Sequence, residues 1–199
     1  MLLLSIAHRG EATEFIRRKH NLPVDFYFSG LYRSENELLL LSGAGIHSTH
    51  KRIKKVCHYF GSKIQAVVNF GIAGSLDSRL ETNQIYAIRN SYHETAPEWY
   101  KSIDSRSKYD CVTAVNDVLE NTYAQVLARI AHITDRELWA IASVCAYFDL
   151  PFRAYKLISD IAGSHADQST IIRNSHVYSK HLFDFYTKLK LTKSILLKT

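Results

Sequence analysis

A chain of 199 residues, 46% hydrophobic and 22% charged, has the length and composition of one domain with a single sizeable core, which excludes wholesale disorder. Its formal net charge of +6 is modestly basic, and no stretch is apolar for long enough to span a membrane; Met1 to Ala7 is too short and lacks the flanks of a secretory signal. The three cysteines, Cys57, Cys111 and Cys145, are odd in number and scattered, so a disulfide framework is not expected and a reduced, cytoplasmic setting is.

In chain order, Leu2 to Ala7 is a short continuous apolar run, the pattern of a strand buried on both faces. Gly10 to His20 has helical composition and ends near Asn21-Leu22-Pro23. Val24 to Gly30 and Asn36 to Gly45 read as strands closed by glycine. His47 to Phe60 is a basic helix stopped by Gly61. "AVVNFGIAGSLD", Ala66 to Asp77, is a strand that empties into a glycine-punctuated loop. Gln84 to Tyr92 and Asp110 to Val115 are predicted strands across a long polar connection, and Asn116 to Ile133 is mostly helical. From Thr134 a helix is predicted, with Leu138, Ile141, Cys145 and Phe148 at helical spacing. It breaks at Asp149-Leu150-Pro151, a strand runs from Phe152 to Ser159, and a last helical region starts near Gln168.

Strands interleaved with helices predict one α/β domain over 1–199. The expected architecture is a three-layer sandwich around a mixed, largely parallel sheet. Ligands in such folds sit beyond the carboxyl ends of strands. That rule picks out His8 to Glu11, Ser42 to Gly45, Gly71 to Ser75, Val115-Asn116 and Ser159-Asp160.

Several chemistries lack their residues. The positive charge concentrates in "HKRIKK" (His50 to Lys55) and in the tail from Lys188, but no nucleic-acid motif accompanies it, so a solvated helix face and a basic tail are expected. His47, His50, Cys57 and His58 do not have the spacing of a zinc cage. There is no dinucleotide fingerprint, no phosphate loop and no nucleophile elbow. Thr134 with Glu137 fits the S/T-x-x-E capping box, and Asp160 reads equally well as a turn residue after its strand.

The stretch from Asp135 to Gly163, "DRELWAIASVCAYFDLPFRAYKLISDIAG", nevertheless resembles the nucleoside phosphorylase and nucleosidase family, above all its methylthioadenosine/S-adenosylhomocysteine nucleosidase branch. The matching features are an acidic residue two before Glu137, Val144-Cys145, Phe148 to Phe152 in the F-x-x-P-F turn, and Ile158-Ser159-Asp160. They keep the family's order and spacing, which a lone motif would not do. "LSGAGIHS" resembles the family's SGIGK turn, "VVNFGIAGSLD" its glycine loop, and "IAHRGEATEF" the segment carrying a glutamate after the first strand.

The resemblance implies cleavage of an N-glycosidic bond through an oxocarbenium-like sugar, on a purine-type nucleoside, with no metal or organic cofactor. It implies Asp160 as the acid that protonates the leaving base, Glu137 as acceptor for ribose hydroxyls, and Glu11 as the group acting on water, with Glu14 in reserve. Ile72, Ala73, Gly74 and Ser159 would line the substrate. A homodimer or higher homo-oligomer is expected on the same ground. Three positions depart from the pattern. Asn69 stands where phosphorylases place a phosphate-binding arginine, and Ile72 where they place serine or threonine, which favours water over phosphate. Arg136 replaces a methionine that packs on the ribose, so it either meets an anionic 5′ substituent or faces solvent; Val115 falls near the expected base-stacking aromatic. A phosphate-dependent phosphorylase and a catalytically silent nucleoside-binding relative remain the alternatives.

Overall fold

The structure is a computed structural model that describes residues 1–20, 22–24, 27–104, 107–164 and 168–191; most of the basic tail lies outside these. In chain order the elements are β1 (Leu2–Ile6), α1 (Arg9–Arg18), β2 (Leu22–Pro23), β3 (Leu31–Ser34), β4 (Glu37–Leu41), α2 (Ile46–Phe60) and β5 (Ala66–Ser75). There follow β6 (Ile85–His93), β7 (Trp99–Lys101), β8 (Tyr109–Thr113), α3 (Asn121–Leu127), β9 (Ile133–Asp135), α4 (Leu138–Tyr147), β10 (Phe152–Ile161), α5 (Gln168–Arg173) and α6 (Ser175–Leu191). No described helix is long and apolar enough to cross a membrane.

The sheet is mixed. β4, β1, β5 and β10 lie side by side and parallel. Beyond β10 come β6, antiparallel, then β8 and β9, each parallel to its predecessor; β9 returns antiparallel to the far end of β5. Five strands therefore close into a ring, from which β1, β4, β3 and β2 extend as an open sheet.

Strand alternation builds the layers. Leu2, Leu4, Ile6, Val68, Phe70 and Leu157 point to one face and pack with Phe15 of α1 and with Leu182 and Tyr186 of α6. Leu3, Leu38, Leu40, Val67 and Ala154 point to the other and meet Ile53 and Val56 of α2 and Ile141 and Cys145 of α4. Both faces of the central strands are buried, as their unbroken apolar runs require. Burying each such aliphatic side chain contributes roughly 1.5–3 kcal/mol. All three cysteines are buried and unpaired.

Three element expectations need correction. Val24 to Gly30 forms no strand among its described residues; β2 and β3 flank it and pair with each other. Its aromatic content serves docking, because Phe28 is buried against Tyr59 and Phe60 at the end of α2. The region from Asn116 to Ile133 is helical only over α3, and the helix predicted from Thr134 starts at Leu138. Residues Ile133 to Asp135 are instead drawn into the sheet, where Thr134 pairs with Gly74 on one side and Val112 on the other.

Candidate active site

The carboxyl ends of β1, β5, β9 and β10 meet the starts of α1 and α4 around an open cleft. Glu11, Glu137 and Asp160, distant in sequence, all line it. So do Ile72, Ala73, Gly74, Arg136 and Ser159. Val115 does not: its side chain is half exposed and only its carbonyl is engaged, by Arg136, while Asn116 to Leu119 form that wall. Glu14 lies on the far side of α1, ion-paired with Arg17 and Arg18.

Glu137 is not a capping-box partner. It occupies the N-cap position of α4, with φ −133° and ψ −29°, and makes no cap with its side chain. Asp135 takes over that task, its Oδ2 accepting the Leu138 N–H at 2.9 Å. The freed Glu137 carboxylate lines the cleft, and its Oε1 accepts the Gly45 N–H at 2.7 Å. Gly45 can aim that N–H because its φ of 78° and ψ of 164° suit glycine alone.

Glu11, in the first turn of α1, is buried and accepts the Ile72 N–H at 3.2 Å on Oε2. Gly71 shares this spot. A Cβ there would lie 3.4 Å from Glu11 Oε2 and 3.4 Å from Lys156 Nζ, so the bare backbone lets a carboxylate and an ammonium flank the same point. Lys156 carries no signal in the sequence beyond being a lysine inside a buried strand. It is fully buried and its Nζ lies 2.7 Å from Asp135 Oδ2. The Thr113 hydroxyl donates to Asp135 Oδ1 at 2.7 Å and accepts the Trp139 N–H at 2.9 Å, tying the ion pair to the start of α4.

Ser159 and Asp160 sit at a register shift between β10 and β5, where a bulge redirects the strand. The Ser159 hydroxyl donates to Asp160 Oδ1 at 2.5 Å. Asn69, buried in the cleft floor, donates to the Ser5 carbonyl at 3.0 Å and leaves its Oδ1 without a partner. Phe70 is the one Phe, Tyr or Trp of the described cleft lining, and it is wholly buried, stacked on Tyr155. No described cluster of His, Cys, Asp and Glu has the geometry to hold a metal ion.

The electrostatics follow from burial around one cation. Burial, then the Glu137 charge, pushes Glu11 up to about 7, against the Ile72 hydrogen bond and the Lys156 charge. Burial, then the Asp135 charge, pushes Glu137 up to about 7 as well. Burial works to lower Lys156, but the Asp135 carboxylate wins and holds it above the ordinary lysine range. Asp160 is raised by burial, opposed by the Ser159 hydroxyl. The result is a cleft in which Glu11 and Glu137 exchange protons near neutral pH, beside backbone N–H donors and one fixed ammonium. Such a pocket can donate a proton to a leaving group, take one from water and stabilise positive charge on a sugar.

No family model and no curated protein matches this chain. Solved structures do. It is similar to S-adenosylhomocysteine nucleosidase from Streptococcus pyogenes (TM-score 0.80, 15% identity, 92% of each chain covered). It is similar also to 5′-methylthioadenosine/S-adenosylhomocysteine nucleosidase from Campylobacter jejuni (TM-score 0.76, 15% identity, 94% of this chain and 99% of that one). A futalosine hydrolase mutant of Helicobacter pylori matches at TM-score 0.76 and 17% identity, over 94% of this chain and 99% of the other. The chain has the same fold as these solved structures.

Proposed function

We propose that the protein is a hydrolase that cleaves the N-glycosidic bond of a purine-type nucleoside. The observation that carries this is the convergence of Glu11, Glu137 and Asp160, from three separate elements, on one cleft. Asp160 gives its proton to the base nitrogen as the glycosidic electron pair leaves with the base; its raised pKa suits a donor. Glu11 takes a proton from the water whose oxygen bonds to the sugar carbon. Glu137 accepts hydrogen bonds from ribose hydroxyls and stabilises the positive charge on the sugar. Ile72, Ala73, Gly74 and Ser159 hold the substrate against β5 and β10, and Arg136, hydrogen-bonded to the Val115 carbonyl, lines the cleft with them.

Water is favoured over phosphate by Asn69. A neutral amide, tied to the Ser5 carbonyl, offers no positive charge to hold a phosphate. The acid, base and carboxylates suffice for this reaction, so no cofactor is invoked. A homo-oligomer is part of this reading: among the described cleft residues no Phe, Tyr or Trp ring is exposed to stack on a base, which a partner subunit would supply.

The test is release of free base from a nucleoside panel, with and without phosphate. Phosphate-independent release, reduced about 10²–10⁴-fold in Asp160→Asn, is expected. Release that requires phosphate would make the protein a phosphorylase. Ligand-induced stabilisation without any turnover would make it a silent binding relative.

A further inference from the structure

α2 holds four lysine and arginine residues, three histidines and no carboxylate. His47, His50, Lys51, Lys54, Lys55 and His58 recur at helical spacing, so they share one face about 16 Å long, away from the buried Ile53, Val56 and Cys57. All of them are exposed except His50, which is half-buried. Among the described residues no carboxylate is ion-paired with any of the six. They crowd one another instead: burial, then the Lys54 and His47 charges, lower the pKa of His50. The contacts that two of the lysines make are to neutral groups. Lys55 donates to the Tyr27 carbonyl at 2.9 Å, and its Nζ lies 4.9 Å from the centre of the Phe28 ring; Lys54 lies 4.9 Å over the Tyr147 ring. These tethers hold the ammonium groups in place and leave their charge uncancelled.

Three tyrosine rings stand exposed beside this stripe: Tyr27 at 78%, Tyr59 at 70% and Tyr147 at 72%. They come from the segment before β3, the end of α2 and the end of α4, so no contiguous motif marks the surface in the sequence. Buried Phe28 joins two of them, its ring 4.9 Å from that of Tyr59, while Lys55 lies 5.6 Å from the Tyr27 ring. A groove opens here, lined by Tyr27, Phe28 and Ser29 and by Lys51, Arg52 and Lys55 of α2; none of these residues lines the catalytic cleft. Cations in a row with exposed ring faces beside them suit a phosphate backbone whose bases are free to stack. An acidic peptide would use the charge and leave the rings in water. A membrane surface would take aliphatic side chains, which the stripe lacks. A duplex keeps its bases stacked on one another. We infer that α2 and its flanking tyrosines form a binding surface for single-stranded nucleic acid, separate from the catalytic cleft. The competing account is that the basic run does nothing beyond clasping α2 to its neighbours.

Fluorescence anisotropy with labelled single-stranded DNA and RNA of about 12 nucleotides and mixed sequence, over about 50–200 mM salt, separates the two. Wild type is expected to bind, with log affinity falling against log salt at a slope of about −2, the value for roughly three phosphates. Lys51 tethers nothing among the described residues, so it is the sharpest probe. Lys51→Gln should weaken binding and make the slope shallower by about 0.7, with an unchanged thermal midpoint. Tyr147→Ala should weaken binding about tenfold and leave the slope in place, because a stacking ring carries no charge. Should Tyr147→Ala not fold, Tyr59→Ala carries the same expectation. Binding that survives Lys51→Gln and the tyrosine variants unchanged would place the contact elsewhere on the chain and overturn the proposal. A matched duplex that binds as tightly as the single strand would overturn it too, leaving charge without stacking. So would polyglutamate that displaces the labelled strand as well as unlabelled strand of equal charge, since the surface would then fit an acidic protein. No binding at the lowest salt would leave the basic run as a clasp alone.

Discussion

Glu11 and Glu137 each hold a proton up to about 7, and this couples rate to stability. A base that must be ionised makes kcat/KM rise with pH through about 7. Stability moves the other way. Between the ordinary glutamate value of 4.5 and about 7, the unfolded chain releases the Glu11 proton while the folded chain keeps it, so stability falls as pH rises through that window. The fall is about 3 kcal/mol for Glu11 taken alone. Glu11→Gln should flatten the profile, leaving a variant more stable than wild type above pH 7 and nearly inactive. Thermal midpoints from pH 4.5 to 8 for both proteins check this, and equal slopes would mean that Glu11 is not the buried acid. Lys156 acts on the same groups from the opposite side. Removing its charge lets both glutamates hold their protons to higher pH, so Lys156→Met should move the rising limb of the pH–rate profile upward, where Lys156→Arg largely keeps it. Stranding Asp135 in the interior also costs about 3–5 kcal/mol. A stability loss with an unmoved profile would confine Lys156 to a structural role.

At the scale of elements, what decides the site is how strands and helices begin and end. The strands and the order of elements around β1, β4, β5 and β10 were legible because two-sided burial writes itself as unbroken apolar runs. β9 was not, since three residues leave no period to read and the Thr134-x-x-Glu137 pattern pointed to a helix start. Tertiary pairing to β5 and β8 overrode that local preference and released Glu137 into the cleft. Glu11, Glu137 and Asp160 were picked out in the sequence through the family resemblance, and the structure brings them to one cleft; Lys156 was not, because one lysine in a buried strand becomes informative only once Asp135 lies beside it. Gly45 joins the two kinds of information, as its glycine-only conformation aims the N–H that holds Glu137. Gly45→Ala should destabilise by about 1–3 kcal/mol. Because it also loosens Glu137, it should raise KM for the nucleoside more than the stability loss alone explains. Urea unfolding beside Michaelis kinetics at a temperature where the variant is folded would show it, and an unchanged KM would detach Gly45 from Glu137.

For the whole molecule, basic charge and cooperativity are the questions the sequence raised. Much of the positive charge of α2 is already engaged: Lys54 lies over the Tyr147 ring, Lys55 donates to the Tyr27 carbonyl, and Arg52 donates to the Ser29 carbonyl. These contacts bind α2 to α4 and to the segment before β3, so the basic run acts as a clasp between elements. Both helical layers grip one sheet, and β5 touches β1, β9 and β10 at once. Neither β5 nor β10 can leave without opening the cleft, because Asp160 and the glycines facing it belong to these strands, whose other ends form the core. The chain is therefore expected to unfold as one unit. Trp139, at the start of α4, and Trp99 in β7 are the two tryptophans, so fluorescence reports the side of the fold beside Glu137, while far-UV circular dichroism reports the whole. The two urea transitions should coincide, and a bound nucleoside should move both together, by about 2.7 kcal/mol at a hundredfold excess over Kd. A fluorescence transition that precedes the other, or responds alone to ligand, would mean that the site region opens apart from the core, and that β9 and α4 are clipped onto the fold rather than built into it.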